Sequence, residues 1–289
     1  MSSPPTGVIH DIGYRHYDGV RLSRGYAATA LALNSLRGVF GLGRTARSKI
    51  IPFLIAAVML LPAVVSIAVM ALLKQQAVGY SEYAVTMQAV LALFLAAQSP
   101  YLVAPDLRFR VLPLYLSRPL KVLDYVAAKF VALVIALFLL MAVPLTLIYI
   151  GELLVELETP VKHAEYFSSM GGAVIFAVVL ASIGLALASF TPRRGLGVAS
   201  VIAFYMFTLA ASAVFFGVLM SEGQDPAAKW SILLNPFFLV DAVQVNLFGT
   251  EPTNGEGYPP GLGPAAITLL VVALALGALF LRYRKAASS

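Results

Sequence analysis

The chain of 289 residues contains no cysteine and few charged residues, and both shortages exclude classes of chemistry. Without cysteine the protein has no disulfide, no thiolate metal site and no cysteine nucleophile. Its histidines (His10, His16 and His163) are isolated and match no zinc-binding pattern. Charged residues make up 12% of the chain and hydrophobic residues 60%, which is far from the composition of a soluble domain. The composition therefore indicates a membrane protein rather than a soluble enzyme.

Charge is absent from the core of six long apolar stretches, at about 50–73, 84–104, 130–150, 170–190, 196–220 and 264–281. Each is close to the roughly 20 helical residues that cross a bilayer core about 30 Å thick. Because the first 48 residues are polar and basic, we expect the first stretch to be a permanent span rather than a cleaved signal peptide. The pattern predicts an all-α polytopic membrane protein with six transmembrane helices.

An energy source is also missing from the sequence. Ion-coupled carriers usually place Asp, Glu or His inside the membrane, or break helices at matched positions in two repeats, and neither feature is visible. The glycines and basic residues of Gly41–Lys49 lack the Gly-Lys-Ser/Thr end of a phosphate-binding loop. No serine nucleophile elbow or zinc-binding helix pattern occurs either. We therefore expect no enzyme activity in this chain, no bound cofactor and no metal site.

Basic residues occupy alternate connections between the apolar stretches. The N-terminal segment, the second-to-third and fourth-to-fifth connections and the C-terminus hold 17 of the 20 lysines and arginines, and the rest are Lys74, Lys162 and Lys229. Basic loops stay in the cytoplasm while a chain inserts, so we predict a protein of the inner (plasma) membrane with both termini cytoplasmic. The same segregation explains the net charge of +6 without nucleic acid as a partner.

Residues 1–48 are predicted to form a cytoplasmic tail that ends in a basic amphipathic helix, from about Gly25 to Gly41. Apolar and basic positions recur there at helical spacing: Leu33, Leu36, Arg37 and Phe40. A helix of this kind before a membrane span usually lies in the interface plane, in contact with lipid. The alternative is a basic flank that only helps to orient the first span.

The connection at 105–128 combines charge with leucine. Leu112, Leu116 and Leu120 recur near helical spacing, although Pro113 and Pro119 confine any helix to short pieces. Exposed leucines on a cytoplasmic loop need a partner that covers them. The alternative is a loop that packs on its own transmembrane bundle.

The segment 221–263 differs from the other connections because it contains a second apolar region, Ser231–Phe248. Burying Asp241 of this region in lipid would cost several kcal/mol. A seventh crossing would also move the basic C-terminus to the outside. We therefore predict an external re-entrant or interfacial helix, followed by a turn-forming loop rich in Gly and Pro.

Taken in order, these features resemble the permeases of ABC-2 type transporters, which have the type V exporter fold. The likeness rests on the amphipathic helix before the first span and on the charged loop from Asp106 to Tyr125, with its Leu116-Ser117-Arg118-Pro119 turn. Asn235-Pro236-Phe237 before the last span also matches.

The resemblance implies a role for each of three segments. It implies ATPase coupling for Asp106, Leu107, Arg108, Arg110, Leu112, Leu116, Arg118, Leu120 and Asp124. It implies a connecting helix for Leu33, Leu36, Arg37 and Phe40, and an external gate for Asn235, Pro236, Phe237 and Phe238.

The function implied by the resemblance is that of the permease subunit of an ATP-driven exporter. Two permeases, identical or homologous, would join two cytoplasmic ABC ATPases, and ATP and Mg would bind to the ATPases. Two other classes stay open from the residues alone: a membrane scaffold that transports nothing, and a passive channel or ion-coupled carrier. The uncharged spans disfavour the last of these.

Overall fold

The computed structural model describes residues 22–74, 78–117, 120–155, 160–191 and 193–287, together with Gly13 and Gly19. Throughout these residues the regular structure is helical, without a strand. Arg118, which the resemblance assigns to ATPase coupling, lies outside the described residues.

Eleven α-helices occur among the described residues. Their bounds are α1 Arg24–Val39, α2 Ala46–Leu73, α3 Tyr83–Thr86, α4 Gln88–Arg108, α5 Leu112–Leu116, α6 Val122–Leu154, α7 His163–Phe190, α8 Arg194–Ser221, α9 Asp225–Ser231, α10 Pro236–Phe248 and α11 Gly263–Ala287, with a 3-10 turn at Ile232–Leu234.

Among the described residues, six helices are long and apolar enough to cross a membrane: α2, α4, α6, α7, α8 and α11. This confirms the prediction of an all-α, multi-pass membrane protein. The helices extend beyond the apolar stretches, since α4 continues to Arg108 and α6 begins at Val122. The predicted loop at 105–128 is therefore shorter than expected, because its polar ends continue the neighbouring helices.

Local hydrogen bonds explain where α1 and α6 begin. Ser23 Oγ accepts a hydrogen bond from the Tyr26 N–H at the start of α1, at 3.4 Å. The Asp124 carboxylate, in the first turn of α6, accepts from the Lys121 N–H at 2.8 Å. A carboxylate at this position satisfies a free backbone donor and favours the positive end of the helix dipole.

The bundle centres on α4, α6 and α7, which contribute most of the buried side chains. Small residues allow the close approach of α7 to α4. A Cβ added at Gly184 would lie 2.6 Å from Ser99 Oγ, closer than real Cβ contacts allow. In contrast α2, α8 and α11 lie at the periphery and expose many apolar side chains. An apolar outer surface of this kind is expected of helices that meet lipid.

The basic connections meet at one end of the bundle. The Arg44 and Arg194 guanidinium groups both lie over the Tyr101 ring, 4.6 Å and 5.9 Å from its centre. Arg282 Nε donates to the Ser189 carbonyl at 3.3 Å. These contacts gather the start of α2, the end of α4, the α7–α8 corner and the end of α11, hereafter the basic end. The basic connections, which alternate with others along the sequence, therefore lie together at one end of the folded bundle.

Acidic residues gather at the opposite end, hereafter the acidic end. Tyr80 donates a hydrogen bond to the buried carboxylate of Glu152. Glu82, Glu165 and Glu251 help to line a cavity of about 360 Å³ beside it. The two ends of the molecule thus differ in the sign of their charge.

Candidate functional site

The segment from the last turn of α4 to the first turn of α6, residues 106–124, is hereafter the coupling segment, after the role that the resemblance implies for it. It turns sharply at Arg110. Arg110 has a φ of 52°, in the left-handed region that non-glycine residues rarely adopt. The Val111 N–H donates to the Asp106 carbonyl at 3.2 Å and closes the turn. As a result α5 folds back toward the bundle and packs against α11.

Asp106 holds the coupling segment to α6. Its carboxylate accepts a hydrogen bond from the Tyr125 hydroxyl and lies 3.2 Å from Lys129 Nζ. Tyr125 is fully buried, with the rings of Tyr115 and Tyr283 at 5.2 Å and 5.5 Å. Asp106 is therefore engaged within the chain and fixes the corner between α4, α6 and α11.

The expectation that Leu112, Leu116 and Leu120 need an outside partner is wrong. Leu112 is 2% exposed and Leu120 8% exposed, and Leu116 is half-buried against the same core. Leu112 and Leu116 lie four residues apart and share the face of α5 that turns inward. The coupling segment thus packs on its own bundle, which was the alternative that the sequence left open. Leu107 is also partly buried there.

Other apolar side chains of the coupling segment are exposed instead. Phe109 is 67% exposed and Leu114 71% exposed, and Leu123 at the start of α6 is also exposed. Leu114 lies two residues from both inward leucines, so helical geometry places it on the opposite face of α5. The sequence shows that Leu114 lies opposite the other two leucines, but the turn at Arg110 decides which face of α5 meets the bundle.

The helix α1 lies along α6, and its inner face differs from the predicted one. Ser35 and Val39 are buried, and Leu36 and Phe40 are partly buried, with the Phe40 ring 6.2 Å from the Phe94 ring. Leu33, predicted to share the apolar face, is 57% exposed instead. Arg37 is exposed as well. The reason is that Ser35 and Val39, four residues apart, lie on the face of α1 that meets α6, and Leu33 does not lie on that face.

At the acidic end, α9 and α10 are bent by 118° relative to each other. Asn235 makes the bend, because its side chain accepts from the Phe237 N–H at 3.0 Å and donates to Gln88 Oε1 at 3.1 Å. Pro236 occupies the first position of α10, where its missing N–H and fixed φ are favourable.

The two phenylalanines after Pro236 point inward. Phe237 is 2% exposed, and its ring lies 6.0 Å from that of Phe176 on α7 and 5.9 Å from that of Tyr205 on α8. Phe238 is partly buried against the same core. The Phe237 ring thus fills the space between α7 and α8 and is hereafter the aromatic plug.

Asp241 on α10, outside the six long apolar helices, is completely buried. Its Oδ2 accepts hydrogen bonds from the Tyr258 hydroxyl at 2.6 Å and from the Thr253 N–H at 3.0 Å. Burial raises the pKa of Asp241, because removal from water penalises the charged form. The carboxyl is covered by the loop after α10.

No family model matches this chain, and neither does any curated protein. The likeness to ABC-2 permeases therefore rests on the features of the chain itself.

Proposed function

We propose that this chain is the permease subunit of an ATP-driven exporter of the ABC-2 type. The observation that carries the proposal is the surface of the coupling segment. The segment is held firmly to the bundle and presents two large apolar side chains to its surroundings at the basic end, Phe109 directly after α4 and Leu114 on α5.

Firm attachment is what a coupling element requires. Leu112 is buried against the bundle, and burial of a leucine typically stabilises by about 1.5–3 kcal/mol. The ion pair of Asp106 with Lys129 and the hydrogen bond from Tyr125 add a polar anchor. A force applied to α5 by a partner would therefore reach α4, α6 and α11 together.

The exposed surface is complementary to a partner that is partly apolar and partly acidic. Phe109 and Leu114 offer two large apolar side chains, and Arg108 lies 5.4 Å from the Phe109 ring centre. Apolar contacts in the middle of such a surface give affinity, while charges at the rim steer association. The cleft of an ABC ATPase that presents apolar groups and an acidic rim would fit this surface.

The proposal requires the basic end to be cytoplasmic. Basic connections stay on the cytoplasmic side during insertion, which places α1, the coupling segment and both termini where ATP is available. The acidic end, with the bend at Asn235 and the aromatic plug of Phe237, then faces the outside. In this arrangement α9 and α10 form the re-entrant outer segment.

A second permease completes the substrate path in this proposal. The peripheral helices α2, α8 and α11 carry the apolar surface that a second subunit and the surrounding lipid would share. Whether that subunit is a second copy or a homologue does not change the coupling contact. ATP and Mg would bind to the ATPases.

The test is purification of the tagged chain from its native membrane, followed by reconstitution in lipid nanodiscs. We expect a P-loop ATPase to co-purify and its ATP turnover to change when the permease is present. If the ATPase binds but its turnover is the same with and without the permease, the chain is a scaffold. If no ATPase binds under any condition, the assignment is wrong.

A further inference from the structure

A cavity of about 480 Å³ opens at the basic end, beside the coupling segment. Basic side chains from three separate parts of the chain line it: Arg108, Arg110, Arg193, Arg282 and Lys285. They come from the α4–α5 corner, the α7–α8 corner and the last turns of α11. These residues lie up to 177 positions apart in the sequence, so the fold itself gathers the positive charge.

The four arginines of the cavity have no carboxylate partner within the described part of the chain. Asp106 is the acidic residue of the lining, and its carboxylate is already engaged by Lys129 and by the Tyr125 hydroxyl. Arg282 donates to a neutral carbonyl, that of Ser189. Within the described residues, none of the four lining arginines belongs to an ion pair. Like charges that line one cavity repel one another, so an anion in the cavity would relieve the repulsion.

The backbone conformation of Arg110 also indicates a binding site. Of the non-glycine residues that the structure describes, Arg110 and Lys74 have a positive φ. Unfavourable backbone conformations of this kind persist where the surrounding structure requires them, and they are frequent at binding sites. Here the conformation sets Arg110 in the lining of the cavity.

We propose that this cavity binds a phosphate group, and that an anionic phospholipid of the cytoplasmic leaflet supplies it. Guanidinium groups bind phosphate oxygens through paired N–H donors, which suits a site with several arginines. Basic pockets between transmembrane helices on the cytoplasmic side bind anionic headgroups. Leu107, Leu112 and Ala286 give the same cavity an apolar part that suits the glycerol region of a lipid.

The inference rests on the cytoplasmic position of the basic end in the proposed function, and it does not require the ATPase. Of the two arginines that the resemblance assigned to ATPase contacts, Arg110 serves the lipid in this account, and Arg108 lies between the cavity and the exposed Phe109. Binding can be measured on the full-length permease alone, so its outcome is independent of whether an ATPase is found.

The experiment uses the delipidated full-length protein in a neutral detergent and short-chain lipids as probes. Dioctanoyl phosphatidylglycerol, dioctanoyl phosphatidylcholine and inorganic phosphate are titrated separately, and binding is followed by thermal shift and by calorimetry. We expect phosphatidylglycerol to bind at least tenfold more tightly than phosphatidylcholine or inorganic phosphate. Equal binding of the two lipids would overturn the proposal. Phosphate binding as tight as that of phosphatidylglycerol would overturn the lipid as its source.

Variants locate the binding in the cavity. The double substitution Arg193→Gln with Arg282→Gln should weaken phosphatidylglycerol binding at least tenfold. Arg193→Lys with Arg282→Lys should weaken it less, because an ammonium keeps the charge but not the paired contact. Arg284→Gln is the matched control, because Arg284 is an exposed basic residue of the same helix outside the lining. If Arg284→Gln weakens binding as much as the double Gln substitution, the effect is general charge and the cavity is not the site. Loss of ATPase binding with unchanged lipid binding would assign the cavity to the protein partner and overturn the proposal.

Discussion

Arg24 on α1 holds Asp124 on α6 through two parallel hydrogen bonds, from Nε and Nη2 to the two carboxylate oxygens, each 2.6 Å long. The two residues lie 100 positions apart. The same carboxylate accepts from the Lys121 N–H at the start of α6. One side chain therefore both begins α6 and ties the amphipathic helix to it.

The first prediction concerns this pair. Arg24→Gln removes the two parallel hydrogen bonds to Asp124 and should loosen the first turns of α1. Hydrogen exchange would show this as faster exchange of the amides in those turns. Arg24→Lys should loosen these turns less than Arg24→Gln does, because an ammonium keeps the charge but cannot make the paired contact. Since the pair is solvent-exposed, high salt should weaken its effect in the native protein. Arg37→Gln is the control, and equal loosening by that substitution would contradict a specific pair.

Apolar length and the alternation of basic connections predicted the helical class and the six long apolar helices, because both patterns are local properties of the sequence. The inward face of α5 could not be predicted. Helical spacing separates Leu112 and Leu116 from Leu114, but the left-handed turn at Arg110 decides which face meets the bundle. The partners of Asp241 were also missed, since Tyr258 reaches it through a loop that no periodic pattern describes.

The second prediction concerns Asp241. Asp241→Asn keeps an oxygen acceptor for Tyr258 and Thr253, so the outer segment should remain folded. Asp241→Leu leaves those buried donors without a partner and should cost about 1–3 kcal/mol for each. Thermal unfolding of the purified variants measures both effects. Equal stability of Asp241→Leu and wild type would contradict the account.

The same carboxyl predicts a pH dependence. Because burial raises the pKa of Asp241, the folded protein binds the proton more tightly than the unfolded chain. The resulting stability is fully present below the ordinary pKa of Asp and is lost as the pH rises through the raised pKa. Asp241→Asn should abolish this part of the pH dependence of unfolding, and an unchanged pH profile in that variant would assign it to other groups.

A third prediction tests the aromatic plug. Phe237→Leu keeps the site apolar but removes the ring that lies between Phe176 and Tyr205. We expect greater leak through the reconstituted protein, or ATP turnover without transport, with assembly of the complex intact. Phe207→Leu is the control, because Phe207 is 72% exposed on the outside of α8. Unchanged leak and transport in Phe237→Leu would show that the outer segment does not form the gate.

The fourth prediction concerns topology and uses the absence of cysteine from the chain. A cysteine at exposed Glu251, near the acidic end, should react with an impermeant maleimide in intact cells. A cysteine at exposed Thr45, whose side chain makes no capping hydrogen bond, should react only after the membrane is opened. Labelling of both positions from outside would contradict cytoplasmic termini and with them the position of the coupling segment.

The most direct test of the coupling account is a single substitution on the exposed face of α5. Leu114→Asp removes an apolar contact without disturbing the buried face, and a loss of about 2 kcal/mol weakens binding roughly thirtyfold. The control is Leu262→Asp, because Leu262 is 74% exposed at the start of α11, the end of that helix opposite its basic last turn. Pull-down of the ATPase and ATP-driven export are measured together for both variants. The account predicts that Leu114→Asp inserts and folds normally but loses the ATPase and export, while Leu262→Asp keeps both. Full ATPase binding and export by Leu114→Asp would contradict it.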